Sequence, residues 1–138
     1  MADFKIITNN PMVSAEYPGL AEYYDRPVEF IFITCRNAVH KGAVLINHPL
    51  SGSIQPNMCP YKSIVISDAK PQIDLMSIQL IEGALAMLKN SSVKKSITYN
   101  NSDLEDFQVI DLDLLNSSLI ALPSGFLLNA RTSGAQIN

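Results

Sequence analysis

Between Glu29 and Asp68 the chain has no aspartate or glutamate, while Arg36, Lys41 and Lys62 fall inside that interval. A protein of formal charge -3 and pI near 5.2 therefore carries one acid-free, basic segment. Lysine and arginine are otherwise too sparse for general DNA or RNA binding, which needs many phosphate contacts. Only two cysteines occur, Cys35 and Cys59, which excludes a disulfide framework. No run approaches the roughly 20 apolar residues needed to cross a bilayer. The start MADFKII lacks the basic region, long apolar run and cleavage site of a secretory signal, so the cytoplasm is the expected compartment. Repeats and low-complexity tracts are absent as well.

What is present suffices for one domain. A chain of 138 residues, 47% of them hydrophobic, can bury a core without disulfides or metal. Phe4 to Thr8 reads as a strand ended by a turn at Asn9, Asn10 and Pro11, and Pro18 and Gly19 leave room for only a short helical turn before Tyr24. Val28, Ile31, Phe32, Cys35, Ala38 and Val39 recur at i, i+3, i+4 and i+7, which predicts a helix capped by Asp25 and stopped by Gly42. Ala43 to Asn47 and Lys62 to Ser67 read as strands. Asp74 to Lys89 is the clearest helix, with Leu75, Ile78, Ile81, Leu85 and Leu88 on one stripe. Ser102 to Glu105 matches a capping box, Phe107 to Ile110 a last strand and Asp111 to Ala121 a last helix. The expectation is a single α/β domain over residues 1–125, a layered sandwich with four or five strands. Residues 126–138 form a tail expected to be partly disordered.

The segment from His40 to Ser63, HKGAVLINHPLSGSIQPNMCPYKS, crowds titratable and hydrogen-bonding side chains into a loop punctuated by Pro49, Gly52, Pro56 and Pro60. Ligands in α/β proteins sit beyond the carboxyl ends of strands, where Asn9, Asn10, Asn47 and His48 are predicted to lie. Ser51, Gly52 and Ser53 can turn backbone N–H groups toward an anion, with Lys41 or Lys62 supplying charge and Asn57 and Tyr61 further donors. A structural loop whose side chains bond its own backbone is the competing reading. Cys35, His40, His48 and Cys59 contain no metal-ligand spacing, so no metal or cofactor is expected. His48 is the candidate acid/base, but no nucleophile elbow accompanies it. Glu82 borders the apolar stripe and is either solvated or turned at the sheet edge toward a basic residue of the loop. The acids Asp103, Glu105, Asp106, Asp111 and Asp113 read as capping and surface groups.

The stretches ITNNP (residues 7 to 11) and HKGAVLINHPLSGSIQPNMCPYKS resemble the GrdX family. These are small proteins encoded with the glycine, sarcosine and betaine reductases of amino-acid-fermenting anaerobes. The resemblance continues around Leu80, Ile81 and Glu82 and through DFQVID at Asp106 to Asp111. The chain departs from the family pattern at Ala43, Gln55, Met58 and Cys59, changes that bear on ligand identity more than on fold. The resemblance implies an accessory protein of the reductase system, with reductase components as partners, and it supplies no catalytic residues. Two functional classes result. One is a binding module for a small anionic ligand or a partner protein. The other is a small enzyme acting on an anionic substrate with His48 as acid/base. A homo-oligomer is compatible with either.

Overall fold

A computed structural model describes residues 4–50, 59–92 and 99–122. Strand β1 (Phe4–Thr8) leads through α1 (Pro11–Glu16) to β2 (Ala21–Tyr23), then α2 (Val28–His40), β3 (Ser63–Ser67), α3 (Leu75–Ser92) and α4 (Asn101–Ile120). The sheet order is β2-β1-β3, with β2 parallel and β3 antiparallel to the central β1. The β1–α1–β2 crossover is about as short as a parallel connection allows.

Side-chain alternation along the strands divides the core into two layers. Ile7, Ile64 and Ile66 face α2 and α3, where they meet Ile31, Phe32, Cys35, Val39, Ile81 and Leu85. Phe4, Ile6 and Val65 face the other way, against Val13 of α1 and Leu115 and Leu119 of α4. Helices thus cover both faces, the layered sandwich that the alternation of elements predicts.

Among the described residues three strands replace the expected four or five. Ala43 to Asn47 keeps only one bridge to β3, Leu45 to Ile66. Two backbone bonds flank that bridge, from Ile46 N–H to the Val65 carbonyl and from Ser67 N–H to the Val44 carbonyl. Side chains intercept the next groups of the ladder. Asn47 Oδ1 takes the Val65 N–H at 2.9 Å, and Ser67 Oγ takes the Val44 N–H at 2.9 Å. The expected strand at Phe107 to Ile110 is instead interior to α4. That helix is capped by Asn100, two residues before the predicted cap, in a reciprocal capping box with Asp103.

The expected turn at Asn9 to Pro11 opens α1, because Asn10 caps Met12 N–H and proline is tolerated in a first turn. At α2 the N-cap is Pro27, without a side-chain cap, and Asp25 plays no part in it. Its C-terminal end is as expected: Gly42 adopts φ +112° just beyond the helix. Asp74 caps the first turn of α3, accepting from the backbone N–H and the hydroxyl of Ser77.

Two glycines test this packing in opposite directions. A Cβ on Gly42 would stand 2.2 Å from the Lys70 carbonyl oxygen, and its φ is unfavourable for any side chain. Gly42→Ala is expected to cost about 2 kcal/mol or more in urea unfolding. A Cβ on Gly83, in the interior of α3, meets nothing within 4 Å. Gly83→Ala should stabilise by about 0.5–1 kcal/mol, since alanine loses less backbone entropy in a helix.

Candidate functional site

Thr8 and Ser63 are direct partners in the β1–β3 register, both turned toward α4. Their hydroxyls lie 2.7 Å apart. Above them α4 brings in Asp111, which is 6% exposed and stands one helical turn before Leu115 on the buried stripe. Asp111 Oδ2 accepts from Ser63 Oγ at 2.7 Å and from Asn10 Nδ2 at 3.0 Å. Asn10 Nδ2 also donates to the Gln108 carbonyl at 2.9 Å, and Gln108 Nε2 donates to the Tyr61 hydroxyl at 2.9 Å. On the far side of β1, Asn9 Nδ2 donates to the carbonyls of Arg26 and Pro60, while its Oδ1 accepts the Lys62 N–H. Among the described residues no buried side-chain nitrogen or oxygen lacks a partner.

This network answers the sequence expectations residue by residue. Asn9, Asn10, Tyr61 and Lys62 do gather at the carboxyl end of β1, but the side chains of both asparagines are committed to joining β1, α1, α4 and the loops. Lys41 is exposed at the opposite end of β3, a strand about 17 Å long. His48 is exposed, and its Nδ1 accepts the Leu50 N–H at 3.0 Å. Ser51, Gly52, Ser53 and Asn57 lie outside the described residues, as does the tail 126–138. Asp111 and Gln108 are unexpected members of the network. Two sequence signals bear on Asp111: its spacing of four and eight residues from Leu115 and Leu119, and its place with Gln108 in the DFQVID run.

Lys62, Ser63, Asp111 and Asn47, together with Leu114, Leu115 and Ser118 of α4, line a cleft of about 10 Å³, room for roughly one water. His48 is not part of its wall. Burial pushes the Asp111 carboxyl above its ordinary value, against the lowering effects of the Asn10 and Ser63 bonds and the Lys62 charge. Burial pulls the Lys62 ammonium down, opposed by the charge of Asp111. The thiol of Cys59 is pushed up, first by burial, and Cys35, sealed beneath α2, is pushed up by the same cause. Neither cysteine has the electropositive, open setting that yields a reactive thiolate. Among the described residues no three His, Cys, Asp or Glu side chains form a metal-binding group. Glu82 pairs with His40, the last residue of α2, at 3.1 Å, both half-exposed, so its partner belongs to a helix rather than to the loop and lies outside this cluster.

The raised Asp111 group fixes the sign of a pH effect. The folded state holds this proton more tightly than the unfolded chain, so the stability linked to it is complete below pH 3.8 and is lost as pH rises through the folded-state value. Relative to Asp111→Asn, the wild type should therefore lose stability on going upward from pH 3.8. Parallel curves in denaturant titrations would contradict this. Asp111→Ala, which strands the Asn10 and Ser63 donors and the Lys62 charge, should cost about 3 kcal/mol at neutral pH.

No curated protein and no solved structure matches the chain. The family model of the GrdX-like protein does match, over residues 5–120. That span runs from β1 to the end of α4 and holds the whole polar cluster. The chain belongs to the GrdX-like protein family.

Proposed function

We propose that this protein is an accessory or binding protein of glycine, sarcosine and betaine reductase systems, and that it docks a reductase component on the outer face of α4. The observation that carries the reading is the composition of that face. Val109, Ile110, Leu114 and Ile120 are all exposed, Ile120 by 68%. At 100° per residue Asp106 and Asp113 fall between them. A helix apolar on its outer as well as its inner side has a surface left to cover. The acids give that surface a preference for a partner with basic groups around an apolar patch. Beneath it the polar cluster is closed on itself, which suits a scaffold holding a docking helix better than an open substrate pocket.

Association with the family's reductase systems comes from the family membership. The docking partner is the tested part. Immobilised wild-type protein should retain at least one purified reductase component. Val109→Asp combined with Ile110→Asp should abolish retention at unchanged melting temperature. Failure of the wild type to retain any component overturns the reading.

A further inference from the structure

The sandwich has a second face, on the α2–α3 side, that docking on α4 leaves unused. His40, at the end of α2, meets Glu82 in the first half of α3. From there a groove of about 320 Å³ runs back along α2 to Glu29 and onward along α3 to Lys89. The two helices are therefore antiparallel. The floor of the groove is apolar, made by Ile33, Leu85 and Ala86. Its two ends are charged. Glu29 and Lys89 share one end, and Arg36 and Glu82 share the other.

This charge order is self-complementary. A two-fold axis across the helices lays α2 on α2 of a second copy, with Glu29 against Arg36 and Glu82 against Lys89. A two-fold axis along the helices lays α2 on α3, with Glu29 against Lys89 and Arg36 against Glu82. Either rotation sets opposite charges face to face around an apolar centre, the arrangement an isologous interface requires.

We propose that the α2–α3 groove is the docking site of a second copy of this chain, giving a two-fold dimer that leaves α4 free. Two helices of 13 and 18 residues offer a face about 25 Å long and 20 Å wide, or roughly 1,000 Å² counted over both copies. That area belongs to a weak, exchanging dimer, and its charged rim makes it salt-sensitive.

Sedimentation equilibrium of the full chain, from low micromolar to near-millimolar concentration, tests this. The weight-average mass should climb toward twice that of the monomer and fall back in high salt. Arg36→Glu should weaken association about tenfold or more, with an unchanged circular dichroism spectrum. Adding Glu29→Arg restores it if α2 faces α2. Adding Glu82→Arg restores it if α2 faces α3. A monomer across the whole range, a dimer indifferent to Arg36→Glu, or a loss that neither second substitution repairs would each overturn the proposal. None of these outcomes bears on reductase docking, which is read on α4 variants.

Discussion

One buried carboxylate joins three elements of this fold. Asp111 comes from α4, its donors Ser63 and Asn10 from the start of β3 and the end of β1, and all of them are sealed from solvent. A buried ionisable group is costly unless its partners are in place. With them in place, it specifies which way α4 crosses the sheet and which residues face inward. The hydrophobic contacts on the same side, Val65 and Phe4 against Leu115 and Leu119, are less selective. A slip of α4 by one residue would exchange apolar neighbours but would leave Asn10 and Ser63 without an acceptor.

The opposite layer is held differently. There α2 and α3 seal Ile7, Ile64 and Ile66 by apolar packing, with Cys35 behaving as a small hydrophobe. The sheet is so narrow that each strand depends on a helix for burial, and β3, with all five residues buried, depends on both layers. The polar cluster therefore sits where one strand end must be tied to a loop, a helix cap and a long helix at once. Asn9 and Asn10 do this from adjacent positions because successive residues of an extended chain point to opposite faces.

That alternation explains which parts of the structure could be read from the sequence. The helix at Val28 to His40 was legible from its spacing and from Gly42, even though its residues favour strands. The helix after Asp74 was legible for the same reason. Misreading Phe107 to Ile110 as a strand and placing Asp111 on the surface are a single error. The buried stripe of α4 is Asp111, Leu115 and Leu119. A stripe that opens with an acid has no visible first turn. Val109 and Ile110, the residues with most strand propensity, lie on the exposed side. The segment at Ala43 to Asn47 failed as a strand because Asn47 and Ser67 side chains take the N–H groups a ladder would use. Strand propensity carries no record of that competition. Of the polar cluster, Asn9, Asn10, Tyr61 and Lys62 stand out in the sequence as ligand groups rather than as partners of one another, whereas Gln108 and Asp111 enter from about 100 residues away.

The cluster fixes α4, whose outer side is apolar and acidic, and the far layer presents a groove with balanced charge. The central claim is that Asn10 and Asp111 act as one unit in joining β1 to α4. A double-mutant cycle on urea stability measures it directly, using Asn10→Ala, Asp111→Ala and the pair. A coupling energy above about 1 kcal/mol is predicted, the pair costing less than the two single changes together. Additivity to within about 0.3 kcal/mol would contradict the claim and leave Asp111 a bystander in the packing of α4.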